Sequence, residues 1–263
     1  MTDPKCLVGK RALVTGAAGV VGRMIFETLQ EAGARVALTD ARADALTALA
    51  DEIDAGPDAI VRAVDLTQEA AIAGLVDEIG ARWGSLDVLV NNAGIYPSGF
   101  LLDISPADWD RVFDVNLRAP FVLTQLVAKQ MIAGGIEGSV INISSGGSRK
   151  MRLTAAPYCI SKTALDRLTK GFAQELAPFH IRVNALEPGF APGSVVSHLT
   201  DEHIAATAES IPLGRNMSRE DIAGPLLFLA SEASRYVTGA TVTADGGNSI
   251  GSLAVYQAKK RPL

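Results

Sequence analysis

The chain has 263 residues, 48% of them apolar, and a formal net charge of −5. That length suits one α/β domain or two small ones. The acidic balance, without a long Lys/Arg block, argues against a nucleic-acid partner, and no apolar run reaches the length of a membrane span. The opening MTDPKC shows no secretory or transit pattern, and Cys6 and Cys159 are too few for a disulfide framework or a four-thiolate zinc site. A cytoplasmic protein with two reduced thiols and no metal is the expectation.

From the N-terminus, short apolar runs rich in β-branched residues alternate with longer segments of helical spacing. RALVT (11–15) reads as a strand, and VVGRMIFETLQEAG (20–33) as a helix with Ile25, Leu29 and Ala32 on one stripe and Gly33 as its stop. RVALTD (35–40) and AIVRAVD (59–65) read as strands around the helical ARADALTALADEI (41–53). QEAAIAGLVDEIGARWG (68–84) is helical and LDVLVNN (86–92) a strand. One long helical pattern then covers 105–131, with Ser105 as N-cap, Pro106 in the first turn and Asp108 behind it. GSVINIS (138–144), IRVNALEP (181–188) and ATVTADG (240–246) complete the strands, and 157–179 is a further helix.

Strands that are apolar almost throughout are covered on both faces, as in a parallel sheet. Strand–helix alternation with short connections implies right-handed crossovers and an open, doubly wound seven-stranded sheet with helices on both faces. No linker or repeat divides residues 1–263, so a single domain is expected. The least regular stretch, 189–216, is a candidate lid, and 250–263 is a tail that either packs on a neighbouring subunit or is disordered.

Ligands of such sheets bind beyond the C-terminal strand ends. The first turn there is TGAAGVVG, Thr15 to Gly22. Its glycines permit tight geometry, and the helix N-terminus offers N–H groups to a pyrophosphate. Asp40 ends the second strand 18 residues after Gly22, where its carboxylate can accept from an adenosine ribose 2′-hydroxyl and repel a 2′-phosphate, cap a helix, or do both. Asp65 ends the third strand and either meets the adenine edge or caps the next helix. NNAG, Asn91 to Gly94, is small and polar, suited to close backbone approach or to a plain turn.

YCISK places Tyr158 and Lys162 at i and i+4, on one helix face. Ser145 ends a strand thirteen residues earlier and can reach the same pocket, and Asn116 interrupts an apolar helical stretch, where a buried amide needs partners. An alcohol that gives up hydride must also give up its hydroxyl proton. A phenol with a pKa of about 10 is a poor base at neutral pH, and a neighbouring ammonium is expected to lower it. Ser145 would hold the substrate oxygen in line with Tyr158.

With TGAAGVVG, Asp65, NNAG, Asn116, Ser145, YCISK, IRVNALEPG and YVTGATVTADGG, the chain resembles the short-chain dehydrogenase/reductase family over nearly its whole length. The resemblance implies a Rossmann fold, a nicotinamide dinucleotide, a small-molecule substrate and a homotetramer or homodimer. It makes Tyr158 the acid/base, Ser145 the group that orients the substrate oxygen, and Lys162 the ligand of the nicotinamide ribose and tuner of Tyr158. Asn116 helps hold a water that relays protons to Lys162. Cofactor contacts are implied for Gly16, Gly19, Val21, Gly22, Asp40, Asp65, Leu66, Asn92, Ala93, Gly94, Tyr158, Lys162, Pro188 and Gly189. Asp40 without an arginine at position 41 resembles the NAD-preferring members, as does Gly19, so NAD is the expected cofactor.

Three positions depart from the family pattern. Val20 stands where the middle glycine of the first turn is usual. Gly193, followed by Ser194, stands where a threonine usually bonds the nicotinamide carboxamide. Glu187 replaces a small residue before Pro188 and is expected to help line the substrate pocket with Ser145, Gly147 and Tyr158. Arg149, Lys150 and Arg152 either attract an anionic substrate or form a solvated loop face or a subunit contact, while Glu187 favours hydroxyl groups or a cation. A small polar secondary alcohol, polyol or sugar, and its ketone are the expected substrates. Reduction of a 3-oxoacyl thioester with NADPH and a non-enzymatic nucleotide-binding regulator are the alternatives.

Overall fold

A computed structural model of the chain describes residues 5–53, 59–193 and 199–251. Seven strands form one parallel sheet: β1 (Arg11–Thr15), β2 (Arg35–Asp40), β3 (Val61–Ala63), β4 (Val88–Asn91), β5 (Ser139–Ile143), β6 (Arg182–Pro188) and β7 (Thr241–Ala244). Their order is β3-β2-β1-β4-β5-β6-β7. The chain runs outward from β1 to β3, then returns to place β4 on the other side of β1, with Val14 beside Val90. That reversal leaves a crevice at the C-terminal ends of β1 and β4.

The strand side chains alternate between two cores. Ala12, Val14, Val88, Val90, Ile141 and Ile143 join one core with Ile25 and Leu29 of helix α1 (Val20–Glu31). Leu13, Leu89 and Val140 point the other way, to Ile72, Leu75 and Ile79 of helix α3 (Glu69–Trp83). This period of two with both faces covered is why the strands read as unbroken apolar runs. Helix α2 (Ala43–Glu52) follows β2, and α8 (Arg219–Ala230) packs beside α1.

Three expectations shift. The third strand contracts to Val61–Ala63, since only these residues pair with β2. The long helix of 105–131 divides into α4 (Pro106–Phe113), a π-helical turn over Asp114–Arg118 and α5 (Ala119–Ala133). Ala119 donates to the Asp114 carbonyl, five residues back, and Pro120 has no N–H to give Asn116, so ordinary helical bonding cannot continue there. The irregular 189–216 contains helix α7 (Asp201–Ser210), capped by Thr200 and with no buried residue. Ser194 and residues 252–263 of the tail lie outside the described residues.

Candidate active site

The nucleotide end is shaped by backbone. Gly16 has φ +63, the left-handed region open to glycine, and a Cβ there would lie 2.9 Å from the Ala93 Cα. Gly22 packs so closely that a Cβ would lie 2.0 Å from the Gly16 carbonyl oxygen. Gly19 is different: its φ of −82 is ordinary, and it is the N-cap residue of α1. Val20 opens that helix and Val21 follows, half-buried, so the valine at position 20 leaves the turn intact. The first N–H groups of α1, like those of any helix, have no intrahelical partners, and such a start suits an anion.

The turn is fastened to β4 by side chains. The Thr15 hydroxyl accepts from the N–H groups of Asn92 and Ala93, both at 3.0 Å. The Asn92 amide donates to the carbonyls of Thr15 (2.8 Å) and Gly16 (3.1 Å). Asp40, buried at the end of β2, accepts from Ala18 N (3.1 Å) and so ties the turn to the second strand. Asp65 is exposed and its Oδ1 accepts from Thr67 N and Thr67 Oγ1, an Asx turn ahead of α3, with Leu66 half-buried next to it. Gly193 has φ +94, and its Cβ would stand 3.7 Å from Val20 Cγ2. Two of the three departures from the family pattern therefore meet.

The chemical end is built of side chains on helix α6 (Ala156–Leu176), β5 and the π-turn. Tyr158 and Lys162 share one face of α6, with the Lys162 Nζ 5.8 Å from the Tyr158 ring centre. Ser145 follows β5, and its hydroxyl accepts from Gly147 N (3.1 Å). A Cβ on Gly147 would lie 3.4 Å from both Tyr158 Cε1 and Ser145 Oγ, so the position is close to the reactive pair. Asn116 is fully buried: Oδ1 accepts from Ile95 N (2.8 Å), and Nδ2 donates to Ile95 O (2.9 Å) and Ser161 Oγ (3.1 Å). Gly94 lies between these groups, since a Cβ there would be 3.4 Å from Asn116 Oδ1 and 3.6 Å from Lys162 Nζ. Gly189, after Pro188 at the end of β6, donates to the Met217 sulfur at 3.2 Å.

Burial dominates the electrostatics of this pair. Burial pushes the Tyr158 phenol above its usual pKa, with hydrogen bonding to Ser145 and the Arg152 charge acting the other way. The Lys162 Nζ donates to the Ile143 carbonyl at 2.7 Å, and burial pushes its pKa down to about 8. Burial disfavours the charged form of each group.

The expectation for Glu187 is corrected. It is fully buried, and its carboxylate is taken by Ser148 Oγ (2.9 Å), Arg149 (2.5 Å) and Thr243 Oγ1 (2.7 Å). Arg149 also reaches Ser249 Oγ (2.6 Å), and Lys150 donates to the Asn248 carbonyl. The acid is neutralised inside a latch between the post-β5, β6 and post-β7 segments, so it attracts no cation. Two residues escaped the sequence reading. Tyr96 packs edge-on against Tyr158 with centroids 5.6 Å apart, and its signal was an aromatic two places after NNAG. Arg42, two residues past Asp40, bonds that carboxylate. Among the described residues no group of His, Cys, Asp and Glu could hold a metal ion, and no helix is long and apolar enough to cross a membrane.

Residues 16–249 match the family model described as enoyl-(acyl carrier protein) reductase. The chain is 36% identical over 253 residues to a sorbitol dehydrogenase of Cereibacter sphaeroides, covering 92% of this chain and 98% of that one. A short-chain type dehydrogenase/reductase from Mycobacterium marinum superposes with a TM-score of 0.87 at 36% identity, over 95% and 99% of the two chains. A gluconate 5-dehydrogenase from Burkholderia cenocepacia, solved with NADP and tartrate, gives 0.86 at 35%, over 95% and 98%. The chain is an oxidoreductase acting on alcohol and carbonyl groups with a nicotinamide dinucleotide. It belongs to the short-chain dehydrogenase/reductase family.

Proposed function

We propose that residues 1–263 form one cytoplasmic dinucleotide-binding domain that interconverts a small polyol- or sugar-like secondary alcohol and its ketone, with NAD as cofactor. The observation that carries the chemistry is the convergence of Tyr158, Ser145, Lys162 and Asn116 beyond β4 and β5. The backbone cradle fits a dinucleotide: Gly16 and Gly22 leave no room for side chains, α1 begins there, and Asp40 closes the adenosine side. Gly16, Gly19, Val21, Gly22, Asp65, Leu66, Asn92, Ala93, Gly94, Pro188 and Gly189 would hold the cofactor with Asp40. The nicotinamide, when bound, accepts or supplies the hydride.

The protein holds the substrate oxygen and moves its proton. Ser145 donates to that oxygen and Tyr158 takes or returns the hydroxyl proton. Lys162 binds the nicotinamide ribose and carries positive charge toward the phenol, while Asn116 shapes the path by which protons reach Lys162. Gly147 leaves room beside Tyr158 for substrate.

The polyol reading is supported by relatives whose names carry sorbitol and gluconate. We further propose a homotetramer or homodimer. Its support is an apolar face of Phe113, Leu117, Phe121 and Leu168 on α4–α6, with Phe121 42% exposed. Light scattering of the purified chain reads the mass, and a monomer would contradict this. The function is tested by screening polyols, sugars, aldonates and 3-oxoacyl thioesters with NAD(H) and NADP(H), read by nicotinamide absorbance. Turnover of polyols or sugar ketones is expected, and turnover confined to 3-oxoacyl thioesters would overturn the substrate class.

A further inference from the structure

The Asp40 carboxylate has about four acceptor positions, two on each oxygen. All four are filled by donors of this chain. Oδ1 accepts from Arg42 N (3.0 Å) and Arg42 Nε (3.1 Å), and Oδ2 accepts from Ala18 N (3.1 Å) and an Arg42 terminal nitrogen (3.2 Å). Each oxygen therefore has one backbone donor and one guanidinium donor. The backbone donors are fixed by the glycine turn and the start of α2. The guanidinium belongs to a side chain that is 39% exposed against 7% for Asp40, so it is the pair of donors free to leave.

A guanidinium presents two parallel N–H donors to the two oxygens of a carboxylate. A ribose 2′,3′-diol presents two neighbouring O–H donors to the same two oxygens. The two cannot use the same acceptor positions together. A 2′-phosphate reverses the balance: Asp40 repels it, while a planar guanidinium suits its oxygens.

We propose that Arg42 is a specificity-determining residue, competing with the adenosine ribose diol of NAD for Asp40 and, when displaced, meeting the 2′-phosphate of NADP. This rests on the reading in which Asp40 holds the adenosine ribose. Arg42 weakens NAD binding and supports NADP binding, so the intact chain discriminates between the two less than Asp40 by itself would. Position 41 is alanine, so the basic group acts from the N-cap position of α2, two residues past the carboxylate.

Calorimetric titration of NAD and NADP into the purified full chain tests this without turnover. Arg42→Leu is expected to tighten NAD, to loosen NADP, and to raise the ratio Kd(NADP)/Kd(NAD) at least fivefold. Arg42→Lys, which keeps the charge but not the fork, is expected to recover part of the NADP affinity. A smaller rise, no change or a fall in the Arg42→Leu ratio overturns the proposal. Asp40→Ala separates this from failure of the underlying reading. If Asp40→Ala leaves both constants unchanged, Asp40 does not hold the ribose. If it loosens NAD while Arg42→Leu leaves the ratio unchanged, only the role of Arg42 is wrong.

Discussion

The two ends of the crevice solve different problems with different materials. The nucleotide end, from Gly16 to Gly22 and across to Asn92, is defined by what side chains are missing: two glycines admit no Cβ, and Thr15 and Asn92 fasten the turn by bonding backbone groups. The chemical end is defined by side chains held away from water, with Asn116 fully buried and Lys162 nearly so. A phosphate needs many weak donors at fixed positions, which a helix start provides at little cost. Proton transfer needs groups whose charged forms are finely balanced, and that balance comes from burial. One end is therefore sensitive to added volume, the other to lost hydrogen bonds and to pH.

The largest effect is expected from Gly22→Ala. Its methyl would meet the Gly16 carbonyl oxygen at 2.0 Å, and that oxygen is a backbone atom that cannot simply swing aside. Calorimetric unfolding should show a loss of about 3 kcal/mol, the upper end for overpacking, with dinucleotide binding impaired as well. A neutral result would mean that the turn is pliable and the contrast between the two ends is false.

The pH dependence of Lys162 comes next. Its pKa is about 8 in the folded chain against an ordinary 10.5, so the unfolded state binds the proton more tightly. Stability conferred at this site is therefore lowest below pH 8 and recovers as pH rises toward 10.5, a difference of about 3 kcal/mol. Urea unfolding of wild type and Lys162→Met across this range should show the gap moving in favour of wild type. A constant gap would show that burial does not depress the lysine.

Asn116→Ala should cost about 2 kcal/mol, because it strands the half-buried N–H and carbonyl of Ile95 and leaves Ser161 without its amide donor. Turnover should fall more than cofactor affinity, sharpening the division between the ends. The smallest effect is expected at Gly19→Ala. With φ −82 and a Cβ 3.3 Å from the Gly16 oxygen, it should shift stability by no more than about 0.5 kcal/mol. A large loss there would show that the turn needs three glycines.

Much of this was legible in the sequence. The apolar runs marked the seven strands, and burial follows for the inner ones, whose two faces are covered, while the edge strands β3 and β7 stay partly exposed. The spacing of Tyr158 and Lys162 gave their shared helix face. Other features depend on contacts between distant segments. The π-turn at Asn116 was hidden within a pattern that is apolar on either side, although Pro120, four residues on, marks the broken bond. The buried partners of Glu187 come from residues 148, 149 and 243, which no local pattern brings together. The direction of the Tyr158 shift depends on how deeply the phenol is buried, a property of the assembled cleft.

The central claim is that Tyr158 moves the proton while the rest of the crevice holds the cofactor. Tyr158→Phe keeps the ring and its edge-on contact with Tyr96, and removes only the hydroxyl. Measured with the best substrate of the screen, turnover should fall by about 10²–10⁴-fold, as for loss of a general acid/base, with dinucleotide Kd unchanged. Turnover within twofold of wild type would contradict the assignment of Tyr158.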